Sequence, residues 1–298
     1  MRNKLTTLAA TAVLSLCLST SLLAGSVTQP GETVGLAAGA PLPPGFYFVN
    51  TADWGCRDTA PEQTCVGVTI PVGAWSTPWT FLGARVHFLV ATPAVEVGIH
   101  NTTHLSGMYN PLVAGQLAWQ LGNTGWNFSY LLGAYFDVHS EVAWSSTSIN
   151  QRFALSYTKD NWNLTANLIW GIQLDQVTDR PQLSGCPAPF ALNGCNPDFI
   201  NLDLTAAKKF GNWQIGAVGF GSWDVSTPVA GYAKQSQFAL GGLLGYDFGK
   251  VIVQGYATTD VTETNYGGRD TRGWMRFIFV LGDPFAQPAA AAPVVRKY

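Results

Sequence analysis

The sequence predicts an all-β fold: an antiparallel, transmembrane outer-membrane β-barrel of about twelve strands behind an N-terminal signal peptide. Three observations carry this. The stretch Asn161 to Asp175 (NWNLTANLIWGIQLD) alternates with a period of two. Trp162, Leu164, Ala166, Leu168, Trp170, Ile172 and Leu174 share one face, and mostly polar residues share the other. Successive strand side chains point to opposite faces, so one wall is apolar with tryptophan near each end, as a strand between lipid and water requires. At a tilt near 40° those indoles stand roughly 20 Å apart along the membrane normal, close to the height of an outer-membrane apolar band. The second observation is recurrence: Trp126, Trp162 and Trp213 each follow a short polar turn and precede Asn or Gln. An indole at the membrane interface keeps its N–H hydrated, so these three mark one aromatic girdle, and Trp170 and Trp223 mark the opposite rim. The third is composition, with charged residues at 11%, aromatics at 12% and 32 glycines. Soluble domains carry about 25% charged residues, so this chain suits lipid better than water. A secreted β-sandwich would alternate in the same way, but it gives no reason for tryptophan to recur at equivalent strand starts.

Along the chain, Met1 to about Gly25 carries Arg2 and Lys4, then an apolar run ending in small residues, and reads as a secretory signal peptide spanning residues 1–25. Cys17 falls inside it, without the small preceding residue a lipoprotein cysteine needs. No later window approaches eighteen apolar residues, so helical spans are not expected. Residues 26–43 (SVTQPGETVGLAAGAPLP) are rich in Gly, Pro and Ala and read as a flexible periplasmic leader. The barrel occupies 44–282. Its expected strands are 45–52, 65–73, 79–92 (extendable to 100), 111–121, 125–139, 148–158, 161–175, 199–210, 212–225, 236–248, 250–261 and 273–281. Connections at 122–124, 159–160, 211 and 249 are short; those at 53–64, 101–110, 140–147, 176–198, 226–235 and 262–272 are long. Short periplasmic turns alternating with long outer loops, and an even strand count, are the pattern of such barrels. Residues 283–298 form a Pro/Ala-rich periplasmic tail, in which Tyr298 competes with Phe279 as a terminal aromatic assembly signal.

Four cysteines remain outside the signal peptide. The simplest of three connectivities joins Cys56 to Cys65 and Cys186 to Cys195, each pair bracketing an outer loop in an oxidising compartment. A metal site would want closer Cys spacing and nearby histidines.

If the strand phases hold, Arg85, His87, Arg152, Asp175, Asp203, Lys209, Asp247 and Arg276 face inward. They either line a pore or form a structural network across the lumen, since interior charges must be paired or hydrated. His100 and His104 are four apart on a loop or strand end with no carboxylate beside them, which does not make a helical metal pair. His139-Ser140-Glu141 does not make a hydrolase site, because adjacent strand residues point opposite ways. Asn101, Asn127 and Asn163 match the glycosylation tripeptide by chance in a bacterial setting. No phosphate loop or basic helix is present, and 16 Lys+Arg stand against 18 Asp+Glu, so neither a cofactor nor a nucleic-acid partner is expected.

LPPGFYFVN (Leu42 to Asn50), TPWTFLGARVHFLVATP (Thr77 to Pro93), the Gly107 to Phe136 hairpin, FALGGLLGYDFGK (Phe238 to Lys250) and GWMRFIFVL (Gly273 to Leu281) together resemble a family. It is that of the SphA-like outer-membrane proteins, also labelled "MetA-pathway of phenol degradation" transporters, and the resemblance spans about residues 42–282. It implies a twelve-stranded, non-enzymatic outer-membrane channel for passive uptake of small hydrophobic or aromatic compounds, with lipid and solute as partners. It supplies no functional residues, and the cysteine loops and Ala/Pro tail are not among its features. The other reading is a structural or adhesive barrel with a plugged lumen and disulfide-tied loops that bind partners outside.

Overall fold

The computed structural model describes residues 25–283 except 60–62, 102, 181–185, 188 and 190–192. The stretch 1–24, read as most of a signal peptide, and the tail 284–298 with Tyr298 lie outside the described residues. No helix among the described residues is long and apolar enough to cross a membrane.

The strands are β1 (Gly45–Arg57), β2 (Thr64–Phe81), β3 (Ala84–Ala91), β4 (Ala94–Ile99), β5 (Thr103–Met108), β6 (Leu112–Gln120), β7 (Trp126–Tyr135) and β8 (Ser148–Tyr157). They continue with β9 (Trp162–Gln173), β10 (Val177–Thr178), β11 (Gly194–Cys195), β12 (Phe199–Phe210), β13 (Trp213–Asp224), β14 (Ser236–Asp247), β15 (Val251–Thr264) and β16 (Asp270–Gly282). Strand β1 pairs antiparallel with both β2 and β16, which closes a twelve-stranded barrel of β1, β2, β3, β6–β9 and β12–β16. Closure leaves no unpaired edge in the wall, the condition for spanning lipid with strands. Hairpin β4–β5 rides above β3 and β6 and pairs with the far end of β2. Three prolines mark that step: the carbonyls of Pro71, Pro93 and Pro111 accept from the amides of Thr92, Tyr109 and Phe136, while none can donate in return.

The expected third strand, 79–92, is corrected here. Residues 79–81 finish β2, and Leu82 (φ 50°) and Gly83 (φ 79°) make a two-residue turn into β3. Two consecutive positive φ values suit the right-handed strand twist, and Gly83 supplies one without a Cβ penalty. Short turns at 82–83, 121–125, 158–161, 211–212 and 248–250 therefore all lie at one end of the barrel, and the longer connections lie at the other.

The segment 26–43 is the larger correction. It is not a periplasmic leader: it threads the barrel from the loop end to the turn end before joining β1. Successive turns compact it, with Glu32 N donating to Gln29 O, Val34 N to Gly31 O, Leu36 N to Thr33 O and Ala40 N to Ala37 O. Val27 packs into an apolar cluster on the β2, β6 and β7 side, and Val34 packs among Val218, Phe220, Leu243, Tyr256 and Trp274 on the other. Its Gly, Pro and Ala content serves close packing inside the barrel rather than flexibility outside it.

Both local disulfides form. Cys56 and Cys65 are directly opposed on β1 and β2, with Cα atoms 4.0 Å apart, and Cys186 joins Cys195 at 5.1 Å. Each ties a loop-end connection, for which the chain-entropy account gives roughly 2 to 3 kcal/mol against the unfolded state. Non-reducing peptide mapping should recover these two bridges. Replacing Cys56 and Cys65 by Ser should lower the unfolding midpoint while heat-modifiable migration persists. Four free thiols would contradict the arrangement.

Candidate functional site

Polar side chains of β6–β9, β12, β15 and β16 bind the threaded segment along its length, and at the loop end the wall of β2, β4, β6 and β7 is apolar. Strand β12 presents a descending series. Asn201 donates to Ser26 Oγ (2.9 Å) and to Thr28 O (3.1 Å). Asp203 then accepts from the amides of Gly31 and Thr33, each at 2.9 Å, and from the Thr33 hydroxyl. Thr205 accepts from the Gly35 amide at 2.7 Å. Every second residue of a strand faces the same way, so these three steps follow from the β pleat alone.

Other strands complete the cradle. Arg276, fully buried on β16, reaches the carbonyls of Glu32 and Val34 and also Gln254 and Tyr256. Arg152 pairs with Glu32 at 2.6 Å, while Gln254 and Asn163 donate to the Gly35 carbonyl. Toward the turn end Gln116 and Ser129 hold the Ala38 carbonyl, and Ser156 accepts from the Gly39 amide. A main-chain group left unbonded in such a place would cost about 1 to 3 kcal/mol, so the side chains are matched to the segment's backbone. Gly31 (φ 88°) also leaves no room for a side chain, because the Phe220 ring occupies that space.

The facing wall at the loop end is apolar. Val66, Val68 and Ile70 of β2, Val95 of β4, Leu112 of β6 and Leu131 and Tyr135 of β7 form one cluster with Val27. A cavity of about 30 Å³ remains there, bounded by Val66, Val68, Ile70, Val95, Tyr109 and Tyr135, with Glu32, Arg57 and Arg272 on its polar side. The loop 136–147 closes over the loop end: Trp144 is buried, and Asn110 clamps its backbone, donating to its carbonyl at 3.0 Å and accepting from its amide at 2.8 Å. Beside it Arg272 bridges Asp53 and Asp270, and Arg57 lies over the Tyr266 ring at 4.0 Å. Burial pushes the Tyr266 phenol, in the β15–β16 loop, up to about 12, so it stays neutral at physiological pH.

Of the inward residues expected from the sequence, Arg152, Asp203 and Arg276 bind the threaded segment. His87 does so through a neighbour, with Nδ1 on Gln116 Oε1 at 3.1 Å. Arg85 donates to the Thr77 carbonyl, and Lys209 pairs with Asp247 at 2.6 Å near the turn end. Asp175 is a correction: β9 ends at Gln173, and Asp175 is exposed in the following connection, its backbone held by Ser146 and Asn196. Trp126, Trp162 and Trp213 stand exposed on the outer wall at the turn end, while Trp170 and Trp223 stand on the outer wall toward the loop end. Pairing of β4 with β5 gives His104 the carboxylate neighbour that the sequence order hid, Glu96 at 2.6 Å. His139 contacts Arg180, whereas Ser140 Oγ accepts from Val142 N, so the two are engaged apart.

A closed, tryptophan-rimmed barrel with its own chain through the lumen defines a channel-like outer-membrane barrel. The chain belongs to the family described as "Putative MetA-pathway of phenol degradation", whose model matches residues 43–277. The fold is similar to that of an outer membrane channel from Pseudomonas putida F1, with a TM-score of 0.65 at 12% identity, covering 85% of this chain and 99% of that one. It is also similar to the β domain of the Bordetella autotransporter BrkA, with a TM-score of 0.51 at 10% identity, covering 80% and 100% of the two chains. No curated protein matches the sequence.

Asp203→Ala removes the acceptor for two amides and a hydroxyl. It should loosen the segment and raise ion conductance in planar bilayers several-fold, with heat-modifiability retained. Gly31→Val should act in the same direction. Conductance equal to that of the wild type in both would mean that the segment is held by other contacts.

Proposed function

We propose that this barrel carries small hydrophobic or aromatic compounds passively across the outer membrane and holds back water and ions. The observation that supports this most is the division of the lumen. Near the loop end the segment 26–43 satisfies its polar groups on β8, β12 and β16 and leaves an apolar face from Val66 to Tyr135 opposite it. An apolar solute loses nothing by leaving water for such a surface, gaining roughly 25 cal/mol for each Å² buried, whereas an ion meets no hydrated path. Mixed-sign charges bound to the segment set up no single-sign field to select an anion or a cation. The narrowness of the remaining cavity favours the rival reading, a structural barrel with its lumen permanently filled.

The two readings separate by uptake. A strain lacking the gene should accumulate a radiolabelled monocyclic aromatic compound more slowly, and the gene should restore the rate. Val68→Asp, which places a charge on the apolar face, should cut that rate about tenfold at equal amounts of folded barrel. Unchanged uptake in both the deletion strain and the Val68→Asp strain would favour the structural barrel.

A further inference from the structure

Asp224 is one of three buried lumen carboxylates without an ion pair among the described residues, with Asp203 and Asp260, and Asp260 accepts from the Asp270 amide at 2.9 Å. Asp53 and Asp270 share Arg272, Glu32 pairs with Arg152, and Asp203 receives two amides and a hydroxyl. Asp224, at the loop end of β13, is only 7% exposed. Its Oδ2 accepts from the Gln235 amide and the Tyr232 hydroxyl, each at 2.9 Å, and both donors are neutral. The nearby cation, Lys234, is exposed and donates its ammonium to the Val225 carbonyl at 2.9 Å instead. Neutral donors offset only part of the desolvation cost of so buried a carboxylate, and a cation within a few ångström would offset more.

What faces Asp224 is the start of the threaded segment. The carboxylate occupies the place that a side chain on residue 25 would take, with Oδ1 nearest, so a larger residue there would displace it. The nitrogen and the Cβ position of a residue share one Cα and lie about 2.5 Å apart, which brings the Gly25 nitrogen within about 4 Å of the carboxylate. Ser26, next along, is buried, its hydroxyl donating to Thr28 O at 2.7 Å and accepting from Asn201. In the sequence, Ala24 and Gly25 are the small residues that close an apolar, export-type stretch.

We infer that the Ala24–Gly25 peptide bond is hydrolysed during export and that the new α-ammonium of Gly25 pairs with Asp224, pinning the threaded segment at the loop end of the lumen. Water adds across the amide: Ala24 keeps the carboxylate, and the Gly25 amine takes up a proton, as α-amines do at neutral pH. The cut lies one residue before the boundary that the sequence pattern suggests. An uncut chain would present a neutral amide nitrogen to a buried negative charge, so processing supplies the cation that the wall lacks at this position. This inference is independent of the solute that the barrel carries.

The test uses full-length protein recovered from outer membranes. Intact mass and N-terminal sequencing should place the first residue at Gly25. An α-amine acetylating reagent, quantified by peptide mapping, should label that residue about tenfold more slowly in the folded barrel than after unfolding. Asp224→Asn should bring the folded rate close to the unfolded one, and Asp224→Glu should restore the protection. A mature chain that begins elsewhere overturns the proposal, and so does a wild-type amine labelled as fast folded as unfolded. Neither of those outcomes depends on whether the variants fold.

Discussion

The structure depends on one constraint: a stretch of main chain inside a narrow barrel must have its N–H and C=O groups bonded by the wall. Eighteen residues of non-strand backbone cross the lumen, packed against the wall through Val27 and Val34. Asp203, Thr205, Asn163, Gln254 and Arg276 each meet a specific backbone group of that segment. Much of the inward-facing polar sequence on β8, β9, β12, β15 and β16 is thereby accounted for. The same constraint fixes Gly31 and Gly35, whose positive φ values turn the segment where Phe220 and Leu243 leave no space for a side chain. Of the inward charges, Arg152, Asp203 and Arg276 are bound to the chain's own N-terminal segment.

The wall was legible in the sequence because its determinants are local. Period-two alternation set the strand phases, and turn residues set most of the hairpins. Cysteine spacing brought each pair within reach of its partner across one connection. The failures trace to missing tertiary information. Residues 26–43 have a linker's composition, and the partners that order them lie more than 100 positions away at Ser156, Asp203 and Arg276. Alternation places Arg152 and Asp203 on the inward face but carries no information on what they meet there. Asp175 went astray because the alternation continues two residues past the end of the ladder. His104 was judged by its sequence neighbours, although strand pairing supplies Glu96.

The proposed function rests on the asymmetry of the lumen at its loop end. Near the loop end the segment's polar groups are bound by β8, β12 and β16, and the wall opposite is built from Val66, Val68, Ile70, Val95 and Leu112. Under the proposed function that surface is the one that meets the solute. The outer closure, made by Trp144 on Asn110, and the proline-interrupted step at β4–β5 border the same apolar wall.

Amide hydrogen exchange of the barrel in lipid measures the central claim most directly, because it reports whether backbone groups of the threaded segment are bonded. The amides of Gly31, Thr33, Gly35 and Gly39 should exchange at rates comparable to those of the paired strands β12 and β13, far below the rate of an unstructured peptide. Exchange of these four amides at the unstructured rate, with β12 and β13 still protected, would contradict the account.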